Sequence, residues 1–139
     1  MVVLDASVWV SRLVPHDINH VSSRRWLERH IAGGGLLVAP MLLLAEVAGA
    51  ISRRTGEPVL ASRALETLLK FTRLRLISID PQLGTRSARL AADLQLRGAD
   101  AMYVAVAHHL GIPLVTWDKE QQERATQFIV VHTPDVLLH

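Results

Sequence analysis

Cysteine is absent from this chain, which excludes disulfides and thiolate metal sites together. A reducing cytoplasm is therefore its natural setting. Long apolar runs are absent as well. The most hydrophobic window, Leu36 to Ile51, spans 16 residues and is broken by Pro40 and Glu46. A membrane-crossing helix needs roughly 20 apolar residues, so none is expected. The apolar opening Met1–Leu4 stops at Asp5, short of the roughly 7–15 residues that a signal peptide's core requires. Lysine is scarce, because thirteen of the 15 basic residues are arginine. Aromatic residues make up only 4%, so few side chains could stack on a base.

What remains is an ordinary globular composition, 50% hydrophobic and 20% charged over 139 residues. That length suits one domain, here 1–139, with a sizeable core. The formal charge is +2, from 15 basic and 13 acidic residues. If four acids share one pocket, the remaining surface carries 15 basic against 9 acidic groups. Arginine grips phosphate in a two-pronged way, and a basic exterior around an acidic pocket suits a polyanionic substrate. A solvated arginine-rich surface is the plainer reading of the charge alone.

Met1–Leu4 is a β-branched run without alternation, the mark of a strand buried on both faces. Further strands are expected at Leu36–Ala39, Leu74–Ile79, Leu114–Thr116 and Phe128–Val131. Helices are expected at Ala6–Val14, Ile18–Ala32, Met41–Arg54, Val59–Thr72, Pro81–Arg97, Ala101–Leu110 and Lys119–Ala125, with Gly98 closing the long one that opens at Pro81. The helix from Met41 is apolar on almost every side in its first three turns and should be interior. Strands alternating with helices predict a three-layer α/β/α sandwich on a mainly parallel sheet of about five strands.

Parallel sheets present their chemistry at the carboxyl ends of their strands. Asp5 ends the first strand, and Asp118 follows the strand Leu114–Thr116 in the same way. Each could simply cap the next helix, but two such strands in one sheet would aim both carboxylates into one cleft. Glu46 has Leu42, Leu43, Gly49 and Ala50 as helical neighbours, so no local cation can pair with it. Asp100 precedes the apolar helix Ala101–Ala107 and, taken alone, reads as a cap. Converging carboxylates repel and raise one another's pKa unless a cation lies among them. Oxygen donors without thiolates select hard ions, Mg2+ or Mn2+. Such an ion can activate water for attack on a phosphodiester.

The stretches VVLDASVWV, LLLAEVAGAISRR and GADAMYVAVAHHLGIPLVTWD, in this order and across nearly the whole chain, resemble the PIN domain, particularly the VapC toxins of bacterial toxin–antitoxin pairs. The resemblance implies a Mg2+-dependent (or Mn2+-dependent) endoribonuclease that acts on RNA. It also implies a homodimer neutralised by a small VapB-like antitoxin, without membrane association. The family's acidic set falls on Asp5, Glu46, Asp100 and Asp118, and its small polar positions fall on Ser7 and Thr116. Ala99 stands where many relatives carry a bulky or aromatic residue, which alters the pocket wall and leaves the acids untouched. The family also includes members that do not cleave, so a silent RNA- or protein-binding module is the second reading. A phosphoryl-transfer receiver or phosphatase ranks third, because such folds want a second acid close to the first and Asp5 has none nearby in sequence.

Trp9, Trp26 and Trp117 could stack on bases, although core packing is the plainer reading; Trp117, beside Asp118, is the candidate substrate contact. Arg12, with Arg24, Arg25 and Arg53, is a candidate phosphate contact. His16 and His20 have helical metal-ligand spacing, but Pro15 disfavours a helix there. Ser7 lacks the surroundings of a serine nucleophile.

Overall fold

A computed structural model describes every residue from Met1 to His139. Strand β1 (Val2–Leu4) is buried throughout, with Val3 and Leu4 wholly hidden. It lies at the centre of a five-stranded sheet. The other strands are β2 (Leu37–Pro40), β3 (Leu74–Ile77), β4 (Leu114–Val115) and β5 (Val131–His132). Their order is β3-β2-β1-β4-β5, and every neighbouring pair is parallel. Val3 stands opposite Val38 on one side and Leu114 on the other. Helices cover both faces, which is why β1, β2 and β4 show no apolar–polar alternation.

Eight helices complete the chain: α1 (Ala6–Leu13), α2 (His20–Ala32), α3 (Leu43–Thr55), α4 (Pro58–Lys70), α5 (Pro81–Leu94), α6 (Gly98–Leu110), α7 (Lys119–Ala125) and α8 (Pro134–Leu137). Parallel strands are joined by right-handed crossovers. Those from β1 and β2 run towards β3, whereas those from β3 and β4 run towards β5. The rule therefore sends α1–α4 to one face and α5–α7 to the other. The packing agrees: α1 lies on α2 and α3, α3 on α4, and α5 on α6, while α6 covers β1, β2 and β4. The direction of crossover reverses between β1 and β4, and a parallel sheet opens its crevice at such a point.

Local chemistry sets the helix ends. Asp80 accepts the Leu83 N–H at 2.8 Å and Pro81 follows it as the first residue of α5. Gly56, with φ of 70°, ends α3 in the left-handed conformation that favours glycine.

Several boundaries differ from the sequence expectation. Gly98 opens α6 rather than closing α5, which already stops at Gln95 with φ of 55°. The last strand lies at Val131–His132, beyond the expected Phe128–Val131, because Phe128 leaves the sheet to stack on His108 with centroids 4.2 Å apart. Strand β3 stops at Ile77, and α8, opened by Thr133 and Pro134, was not expected from the sequence. Helix α3 is only half interior. It starts at Leu43, two residues after the expected Met41; Leu43, Val47 and Ile51 form its buried stripe, whereas Ala45 faces outwards. Its apolar content exceeds the single face that the sheet layer can cover. His16 lies in a turn and His20 begins α2 with its Nδ1 on the Ser11 carbonyl, so the two share no helix.

Candidate active site at the crossover reversal

Asp5 follows β1 and is 5% exposed. Its Oδ2 accepts the Ser7 N–H and the Thr116 hydroxyl, both at 3.1 Å. Asp5 thus does cap α1, and it faces β4 in the same act. Thr116 spends its single proton on Asp5, so the Ser7 hydroxyl donates to Thr116 across 3.3 Å. The Trp117 N–H then donates to Ser7 at 3.0 Å and the Asp118 N–H to Thr116 at 3.0 Å. Every donor in this lattice points towards Asp5, which leaves Oδ1 without a partner and free to bind something else. Ser7 and Thr116 therefore hold the end of β4, with Asp118, against the end of β1.

Asp118 caps α7 by accepting the Gln121 N–H at 2.8 Å. Gln121 is fully buried and donates from Nε2 to the Asp100 carbonyl at 3.2 Å, which fastens the start of α7 to the first turn of α6. Asp100 is not the cap of α6. Arg97 occupies that position, and the Asp100 carboxylate takes no hydrogen bond. Glu46, in the first turn of α3, accepts the Tyr103 hydroxyl at 2.6 Å and has no ion pair. Tyr103 is wholly buried one helical turn after Asp100. Burial and the neighbouring acids push its own pKa up, so it remains a donor.

Burial and neighbouring charge act on these carboxyl groups together. Burial raises the Asp5 pKa, its hydrogen bonds oppose that, and the Asp118 charge adds to it. Burial raises Glu46 too, tempered by Tyr103 and reinforced by Asp5. Asp100 is pushed up to about 7 by burial and then by Asp5, Asp118 and Glu46, with only Arg97 opposing. All four acids are thus in one electrostatic neighbourhood. Their side chains nevertheless splay, and no three acidic or imidazole groups close on a common point. In kind, the set fits a hard divalent cation: oxygen donors, no thiolate, a free Oδ1 on Asp5, and mutual repulsion that such an ion would relieve.

A family model described as the PIN domain matches residues 2–127. The chain belongs to the PIN family. Solved PIN structures are similar in fold. The toxin VapC20 of Mycobacterium tuberculosis, described as sarcin–ricin loop cleaving, is 20% identical with a TM-score of 0.75, covering 94% of this chain and 97% of that one. FitAcB of Neisseria gonorrhoeae is 17% identical with a TM-score of 0.73, covering 96% and 98%. VapBC2 of Rickettsia felis, solved on a DNA fragment from its promoter, is 19% identical with a TM-score of 0.69, covering 96% and 98%. No curated protein matches the sequence.

An open cleft of about 550 Å³ lies between α1 and α3, lined among others by Ser7, Glu46, Arg53, Arg54 and Trp117, with Glu46 the one of the four acids on its wall. Of the four arginines singled out from the sequence, only Arg53 lines it. Arg12 is half-buried in the last turn of α1 and makes no ion pair, and Arg24 and Arg25 face solvent on α2. Trp9 and Trp26 are core residues at 2% and 4% exposure, so Trp117 is the one tryptophan that reaches the cleft. Tyr103, Gln121 and the buried pair Ser11–Ser23 were missed from the sequence. For Tyr103 the available signal was its spacing of three from Asp100, which puts both on one helix face.

Proposed function

We propose that this PIN protein is a Mg2+- or Mn2+-dependent endoribonuclease, the toxin of a VapBC-type pair. What supports this reading is that Asp5, Asp118 and Glu46 lie close enough to Asp100 at the crossover reversal to raise its pKa, while Ser7 and Thr116 hold Asp5 from one side only. These four residues would hold the ion. When bound, it would activate water and offset the charge that develops on the attacked phosphate. The remaining work falls to the protein. Ser7 and Thr116 orient Asp5 and draw the Asp118 strand end towards it, Tyr103 fixes Glu46, and Gln121 joins Asp100 to Asp118. Arginines along the cleft favour a polyanion. The likeness to VapC20, described as sarcin–ricin loop cleaving, supports an RNA substrate, and the likeness to VapBC2 supports an antitoxin as partner; a homodimer is part of the same reading. No helix is long and apolar enough to cross a membrane.

The test is cleavage of single-stranded RNA with Mn2+, with Mg2+ and with chelator. Asp5→Asn and Asp100→Asn are expected to lose at least about a hundredfold in rate while circular dichroism stays unchanged. Equal cutting by these variants, or by the parent in chelator, would overturn the reading. RNA bound but never cut would leave the silent module instead.

A further inference from the structure

Glycine in the middle of α3, at position 49, supports the helix less well than alanine would. Its surroundings supply a reason for it. A Cβ at Gly49 would meet the Arg53 Nη1 at 3.2 Å, so the guanidinium lies back along the helix, over the glycine. Residues 46, 49 and 53 share one helical stripe. Arg53 has no ion pair, unlike its neighbour Arg54, which is held by Asp17 at 2.6 Å. An unpaired guanidinium therefore lines the cleft that Glu46 also lines.

Trp117 lines the same cleft, and its ring is anchored from behind. Its Nε1–H donates to Ser23 at 2.8 Å, Ser23 donates to Ser11 at 2.6 Å, and Ser11 donates to the Val8 carbonyl at 2.8 Å. The order follows from proton supply. The indole can only donate, and the Ser11 proton is committed to Val8. Ser11 and Ser23 are 2% and 0% exposed, so this chain of donors is sealed inside the molecule. With its one polar atom bound behind, the indole can offer a visitor only its π surface.

We infer that Arg53 and Trp117 form a one-nucleotide subsite beside the acidic centre, taking an unpaired nucleotide of single-stranded RNA with its phosphate on the guanidinium and its base on the indole. The inference rests on the nuclease reading for the identity of the polymer and deepens it by naming specificity-determining contacts. A paired base has no free face for Trp117, so the subsite selects loops and single strands over duplex.

The probe is a short unstructured RNA, titrated in chelator so that no cutting occurs. It is followed by anisotropy of a labelled strand and by tryptophan emission. Because Trp9 and Trp26 are buried, quenching reports Trp117. Trp117→Leu is expected to weaken binding about 10-fold, with its salt dependence unchanged. Trp117→Phe keeps a π face and should bind within about 3-fold of the parent while losing the quench. Arg53→Ala should weaken binding about 3- to 10-fold and lower the salt slope by about 0.7, the loss of one phosphate contact. Gly49→Ala should raise the melting temperature yet weaken binding by displacing the guanidinium. Arg89→Ala, on α5 and outside the cleft, serves as the control and should bind as the parent does. Parent-like affinity and salt slope in both Trp117→Leu and Arg53→Ala would overturn the subsite. If Asp5→Asn still abolished cutting in that case, the nuclease reading would stand without it. Conversely, binding through these two residues with no cutting in Mn2+ would keep the subsite and remove the nuclease.

Discussion

At the scale of single residues, Asp100 is the most exposed to test. Its pKa of about 7 in the folded protein lies well above the ordinary carboxylate value. Between pH 4 and 7 the folded state then holds a proton that the unfolded chain has released, so stability falls as pH rises through that window and levels off above it. Solvent reaches this side chain, and with that screening the loss is on the order of 1–2 kcal/mol. Urea unfolding of the metal-free protein at a series of pH values should show the decline, and Asp100→Asn should flatten it and be the more stable protein at pH 8. An unchanged decline in the variant would mean that Asp100 does not carry it. Tyr103→Phe makes a different point. The ring keeps its packing, and only the donor to Glu46 is lost. Metal affinity by calorimetry should drop roughly 10-fold, with little change in melting temperature.

At the scale of elements, two polar links decide how the α1–α2 hairpin sits. One is the donor chain from Trp117 through Ser23 and Ser11 to Val8. Ser23→Ala strands a buried indole N–H and a buried hydroxyl, and should destabilise the fold by about 1–3 kcal/mol in urea unfolding. The other is the Arg54–Asp17 pair, which ties α3 to the turn before α2. Burial raises the Asp17 pKa, but the Asn19 N–H, the Arg54 bond and charge, and His16 outweigh it and leave the value below the ordinary one. A depressed carboxylate stabilises the fold above its unfolded pKa, and that contribution disappears as pH falls through the folded value. Asp17→Asn should therefore lower stability by about 0.5–1 kcal/mol at neutral pH and by nothing in strong acid.

At the scale of the whole molecule, the acidic centre is a site of repulsion that the fold sustains through β1, α3, α6 and the end of β4. An ion that binds only the folded state at a hundred times its dissociation constant adds about 2.7 kcal/mol. Mn2+ or Mg2+ should therefore raise the parent's melting temperature by several degrees, and Asp5→Asn should barely respond. An equal rise in both proteins would place the ion elsewhere.

Much of this was legible along the chain. Strand ends followed by Asp5 and Asp118, and the isolated charge of Glu46 in an apolar helix, are local patterns that hydrophobic burial enforces wherever the segments end up. The interior expectation for α3 was too strong, because composition records how apolar a helix is but not how much of it a neighbour covers. The shift of β5 has a similar origin: Phe128 belonged by propensity to a strand, and a stack with His108 took it away.

By itself, then, the sequence determined the alternation of elements and the parallel sheet. Those follow from backbone propensity and from the free energy of burying each segment, which neighbours in the chain already express. Tertiary structure alone decided that Tyr103 would hold Glu46, that Ser23 would anchor Trp117 from 94 positions away, and that Arg53 would rest on Gly49 within the same cleft. Hydrogen bonds between remote segments depend on where layers cross, and a few tenths of an ångström in that packing separate a made bond from a lost one.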